Sequence, residues 1–120
     1  MELQLLISTD KKDPLELNFK VNDTILINFS RDIKIDEYCF AFESSNYSSL
    51  SFTFVSNLKV DCYFVFFTKS GKRKFTGCHT LQKDEITVDI KECEKFLVVI
   101  PRSKNNEVCA ALTLASLSAK

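Results

Sequence analysis

The sequence predicts an all-β fold: a single-domain antiparallel β-sandwich, jelly-roll or immunoglobulin-like, with eight to ten strands over residues 1–120. Three observations predict it. Apolar residues recur at every second position in several stretches, the period of an extended chain rather than of a helix. Two other stretches are apolar at nearly every position and read as central strands. Turn-forming residues interrupt the chain about every 8–13 residues, the rhythm of a sandwich or barrel.

The elements follow in chain order. Residues 1–14, MELQLLISTDKKDP, lack the basic start and apolar run of a signal peptide, and Asp13-Pro14 opens the first clean strand. Residues 15–21, LELNFKV, align Leu15, Leu17, Phe19 and Val21 on a core-facing side, with Glu16, Asn18 and Lys20 opposite. Asn22-Asp23 is a tight turn. Residues 24–30 then align Ile25, Ile27 and Phe29, and residues 37–43 align Tyr38, Phe40 and Phe42. Residues 49–55, SLSFTFV, align Leu50, Phe52 and Phe54 against Ser51 and Thr53. Residues 60–68, VDCYFVFFT, and 96–100, FLVVI, have no wet face, so both are expected to be covered on two sides. Residues 85–91 align Ile86, Val88 and Ile90. Pro101 ends a strand, and Lys104-Asn105-Asn106 turns the chain. Residues 107–117 read as a last strand with Val108, Ala110, Leu112 and Leu114 aligned, although their Ala and Leu content also suits a helix.

Eleven phenylalanines and no tryptophan supply the core, most of them on the alternating inner faces. Each fully buried side chain of this size contributes about 1.5–3 kcal/mol, so the core can offset ordering entropy without a metal or a disulfide. The five cysteines, Cys39, Cys62, Cys78, Cys93 and Cys109, are odd in number, widely spaced and free of any CxxC, which points to reduced thiols in a cytoplasmic protein. Three glycosylation sequons, at Asn22, Asn28 and Asn46, are a mild excess against that location, but Asn28 lies inside a predicted strand, a poor acceptor position, and the cytoplasmic reading is kept.

Sixteen basic and sixteen acidic residues cancel, which argues against general nucleic-acid binding. No apolar run is long enough for a membrane span. The only histidine, His79, adjoins Cys78, but neighbours on a strand point to opposite faces and would not form a dyad. The acidic loop with Asp32, Asp36 and Glu37 has Arg31 and Lys34 among its carboxylates and lacks the DxDxDG rhythm of a calcium loop. No metal, cofactor or catalytic residue is expected, and the chain reads as a non-enzyme.

The stretch 62–77, CYFVFFTKSGKRKFTG, holds the most distinctive charge pattern: Lys69, Lys72, Arg73 and Lys74 around Ser70-Gly71. A two-residue hairpin loop there sets Lys69 opposite Lys72, Thr68 opposite Arg73 and Phe66 opposite Phe75. Like charges face to face cost a few tenths of a kcal/mol. Either the lysines keep an exposed hairpin soluble, or they contact an acidic protein, phosphate or headgroup. Tyr47, in the SSNYSS loop, is the one residue suited to a carbohydrate platform.

From about residue 49 onward, the strand-rich run, YFVFFTKSGKRKF, DEITVDI and KFLVVIP follow one another in an order similar to that of small jelly-roll accessory domains. Pre-peptidase C-terminal domains and the C2-like domain of calpains are examples. The similarity is one of strand rhythm, and KECEK stands where the former favour glycine. It implies a fold and no residue roles.

The resulting expectation is a non-catalytic protein-interaction module or accessory subunit with a basic hairpin tip, the binding residues being Lys69, Lys72, Arg73, Lys74 and Tyr47. The partner is another protein, through an acidic surface, or a second copy through an unpaired edge strand. The alternative is a carbohydrate- or anionic-lipid-binding sandwich.

Overall fold

The computed structural model describes residues 1–10, 13–30, 34–103, 106 and 109–120. Among these residues it has eleven strands: β1 (Leu3–Thr9), β2 (Leu15–Asn18), β3 (Thr24–Ile27), β4 (Ile35–Glu43), β5 (Ser49–Ser56), β6 (Val60–Thr68), β7 (Arg73–Phe75), β8 (His79–Leu81), β9 (Glu85–Asp89), β10 (Cys93–Pro101) and β11 (Ala110–Ala119). They form two antiparallel sheets packed face to face. The larger has the order β2-β1-β4-β10-β6-β7, with β8 paired to the other end of the same edge of β6. The smaller has the order β3-β11-β5-β9. No described helix is long and apolar enough to cross a membrane. Arg31, Asp32, Lys104, Asn105, Glu107 and Val108, singled out in the sequence, lie outside the described residues.

The period-two pattern determines which side of each strand enters the core. Leu50, Phe52 and Phe54 of β5 and Tyr38, Phe40 and Phe42 of β4 are buried, as expected. Phe52 is the hub, with ring centroids 5.4 Å from Phe42, 5.7 Å from Phe54 and 5.9 Å from Phe96. Strand β11 carries the pattern through an irregularity. Its register against β5 shifts between Leu114 and Ser116, so one extra residue is accommodated. Leu114 and Leu117, three apart, therefore both pack toward the core.

Four expectations are corrected. Strand β1 was not anticipated, because Leu6 interrupts the alternation of Leu3, Leu5 and Ile7. Residues 79–81 likewise form a short strand of their own, which takes the total past ten. Leu15 and Leu17 do lie on the inner face, across from Ile7 and Leu5, but β2 ends at Asn18 and they remain 57% and 41% exposed. The larger sheet overhangs the four-stranded one, so among the described residues nothing covers its edge. Finally, β6 and β10 are central within their sheet, but among the described residues they are covered on one face only.

One end of the sandwich is tied by polar contacts. Arg102 donates from Nη1 to the Phe29 carbonyl at 2.7 Å and from Nε to the Ile35 carbonyl at 2.9 Å. The buried Asn106 amide bridges β6 and β10: its Oδ1 accepts from the Asp61 N–H, and its Nδ2 donates to the carbonyls of Asp61 and Pro101.

Candidate interaction surface

The hairpin between β6 and β7 is one residue longer than expected. Gly71 N–H donates to the Thr68 carbonyl, and Thr68 N–H to the Lys72 carbonyl, so the loop is Lys69-Ser70-Gly71. Gly71 has φ +87, the left-handed residue that closes a three-residue hairpin loop. Thr68 Oγ1 also accepts from the Lys72 N–H at 3.0 Å. The register becomes Phe67 opposite Arg73, Phe66 opposite Lys74 and Val65 opposite Phe75. The expected Phe66–Phe75 and Lys69–Lys72 pairs do not form. A slip of one residue moves a strand's side chains to opposite faces. Phe75 and Arg73 are thus on the outer face of the larger sheet, while Lys74 is on the inner face, at its rim.

That outer face is apolar. Cys39, Val65 and Val99 are buried there by the half-buried Leu6, Tyr63, Phe67 and Leu97 around them, all from β1, β4, β6 and β10 themselves. No other element among the described residues packs over them. Val65 is 4% exposed and its neighbour Phe75 61%. Phe75 lies 6.4 Å from the Tyr63 ring, and the Arg73 guanidinium is 5.1 Å above the Phe67 ring. At about 4.8 Å between strands and 3.3 Å per residue, the apolar area covers on the order of 400 Å². Scattered exposed apolar residues are ordinary, whereas a contiguous patch of this size is comparable to the largest on a typical monomer, which is often functional.

Charged residues rim this area. Lys95 and Glu43 pair across β10 and β4 at 3.5 Å, half exposed. Arg73 and Glu37 sit at opposite corners, and neither has an ion-pair partner among the described residues. Loss of water, and then the nearby Asp36, raise the Glu37 pKa above its ordinary 4.5. The Tyr63 hydroxyl is raised in turn by burial and then by Glu37.

The remaining expected residues are dispersed. Tyr47 is half-buried and packs against the core, so it does not stand out as a platform. Its loop does approach Lys69: Tyr47, Asn46, Lys69, Lys91 and Glu92 share a hollow of about 250 Å³ at one end of the sandwich. Lys69 N–H donates there to the carbonyl of Glu92, which has φ +68. Lys74 lies elsewhere, with Lys91 on the lips of a slot of about 410 Å³ between the two sheets, floored by Phe66, Val88 and Cys93. Lys72 is exposed at the tip.

His79 stacks on Phe64 at 4.1 Å, and its Nε2 is 3.2 Å from Thr76 Oγ1. Its cross-strand neighbour is Cys62, a pairing that adjacency in sequence could not reveal. Burial pushes the Cys62 thiol up to about 12, the reverse of nucleophile activation. Among the described residues, no three His, Cys, Asp or Glu side chains converge as metal ligands.

No protein-family model, curated protein or solved structure matches the chain. The face, the hairpin and the rim charges therefore carry the functional reading alone.

Proposed function

We propose that this chain is a non-catalytic protein-interaction module that docks its partner on the open face of the larger sheet. The observation behind this reading is the apolar patch centred on Val65, Leu97 and Val99, which no described element of the chain covers. In an interior, both faces of β6 and β10 would be buried; here one is left for another molecule. Arg73 at the rim supports a partner that is acidic at that corner. Open edges serve the purpose less well. The edge strands β2, β3, β7, β8 and β9 are three to five residues long and are poor templates for pairing. Five thiols without a disulfide support a reducing location such as the cytoplasm.

The test is a photo-crosslinking residue at position 75, with one at position 87 on the smaller sheet as control. The expected result is discrete protein adducts from position 75 that disappear with Leu97→Asp, and none from position 87. Adducts that ignore Leu97→Asp, or none at all from the folded protein, would overturn the reading.

A second reading, an anionic-lipid binder, draws on the slot between the sheets. Lys74 and Lys91 could meet a headgroup there while Phe66 and Val88 meet an acyl chain. Salt-sensitive sedimentation with phosphatidylserine vesicles, lost in Lys74→Glu, is its expected signature. Carbohydrate binding has less support, because Tyr47 packs inward.

A further inference from the structure

Resting on the lipid reading of the slot between the sheets, we infer that this slot holds a single-chain monoanionic amphiphile taken from solution, a fatty carboxylate, with its head at Lys74 and Lys91 and its chain on Phe66 and Val88. The sheet order explains why a slot exists. Strands β7 and β9 each end their sheet and are not paired with one another. The slot lies between them, and among the described residues no strand closes it. Phe66 is opposite Lys74 in the β6–β7 ladder, so both face inward, and Val88 packs inward from β9.

The slot grades from wet to dry. Lys74 and Lys91 are exposed at its mouth, Phe66 and Val88 are half-buried, and Cys93 at the bottom is 5% exposed. The Phe66 ring is held against the core ring of Phe96, 4.9 Å away. The wall hydroxyls are already engaged: Thr76 Oγ1 is 3.2 Å from His79 Nε2, and Thr68 Oγ1 accepts from the Lys72 N–H. Asp89 also lines the slot, but its Oδ1 accepts from the Lys91 N–H at 2.9 Å, which ties it to the turn. The two ammonium groups have no ion-pair partner among the described residues. An apolar floor below unpaired cations suits a ligand with an anionic head and an apolar tail.

The charges select a monoanion. Burial raises the Cys93 thiol; Asp89 raises it further, Lys74 lowers it, Glu92 raises it and Lys69, from the adjoining hollow, lowers it. These four charges thus act on one sulfur. With Lys91, three ammonium groups face two carboxylates and leave one positive charge in excess. One carboxylate balances that excess, whereas a phosphate dianion reverses it. The volume of about 410 Å³ is toward the small end of ligand sites, roughly 300–1,000 Å³, and suits one alkyl chain better than the two of a membrane lipid.

The test titrates octanoate into the full chain by calorimetry and maps the site by amide shifts in isotope-labelled protein, with circular dichroism as the fold control. Octanoate is expected to saturate one site with a Kd below about 1 mM. Shifts are expected at Lys74, Val88, Lys91 and Cys93, and not at Leu97 on the outer face. Lys74→Gln and Lys91→Gln should each weaken binding about tenfold, and Lys72→Gln at the hairpin tip should not. Octanol, which keeps the chain without the charge, and acetate, which keeps the head without the chain, should each bind at least about tenfold more weakly than octanoate. Octyl phosphate in its dianionic form should bind no more tightly than octanoate. Octanol or octyl phosphate that outcompetes octanoate overturns the inference, as do lysine variants that bind normally or shifts centred on Leu97. A chain that ignores octanoate but still sediments with phosphatidylserine vesicles in a Lys74-dependent way sinks the inference and leaves the lipid reading standing. A chain that does neither sinks both.

Discussion

Phe75 lies opposite Val65 on the outer face of the larger sheet, not opposite Phe66 in the core. The difference comes from a single loop residue. A two-residue turn at Ser70-Gly71 would have turned Phe75 inward and Lys74 outward; the three-residue loop does the reverse. The exposed aromatic and the cation above Phe67 follow from that register, and both border the apolar patch of β6 and β10.

Gly71 should therefore be sensitive out of proportion to its surroundings. Nothing lies within 4 Å of where a Cβ would be, so the cost of a side chain is backbone strain at φ +87 alone. Gly71→Ala is expected to destabilise by about 1–2 kcal/mol, whereas Gly71→Asn should cost less, because Asn tolerates this region. Urea unfolding of the two variants measures the difference. Equal losses would mean that the loop has relaxed to another turn.

Phe52 should be among the most costly core residues to truncate. It is fully buried and touches aromatic rings from both sheets: Phe54, Phe42, Phe64 and Phe96. Phe52→Ala is expected to cost about 3–5 kcal/mol, against less than about 0.5 kcal/mol for Phe75→Ser at its exposed site. Denaturant midpoints will show whether that separation holds.

The five thiols should divide into two classes. Cys78 and Cys109 are exposed, while Cys39, Cys62 and Cys93 are buried. Burial raises the thiols of Cys39 and Cys62 to about 12, further suppressing the reactive thiolate. A disulfide reagent at neutral pH should modify Cys78 and Cys109 quickly and the remaining three only after unfolding. Rapid modification of Cys39 would show that the outer face is less tightly packed than described.

Glu37 should make stability depend on pH in the direction opposite to a salt-bridged carboxylate. Its folded pKa lies above the ordinary 4.5, because burial and then Asp36 disfavour the charged form. Its favourable contribution is thus complete below about pH 4.5 and is lost as pH rises through the raised folded value. Glu37→Gln is expected to flatten the stability curve over that rise and to be at least as stable as the parent near pH 7. Urea titrations of monomeric protein across this range are the check. A parent curve that climbs through the same window would contradict the assignment.

Much of the fold was legible because burial is periodic. Leu50, Phe52 and Phe54 announce one buried face of β5, and nothing in the tertiary structure reverses them. Strand β1 was less legible, since Leu6 serves the outer face while Leu5 and Ile7 serve the core, and a run apolar on both sides has no visible period. The candidate surface was legible only in fragments. The basic residues at 69–74 stood out, yet the structure sends Lys69, Arg73 and Lys74 to three different places.

The sequence by itself determined the extended chain, the inward sides of most strands and the aromatic core, because these depend on local alternation and on the chemistry of each side chain. Only the tertiary structure decided which strands are neighbours, how far one sheet overhangs the other and which apolar face stays open. Those outcomes depend on loop length and on what lies opposite each strand, and both are set by residues far away in the chain.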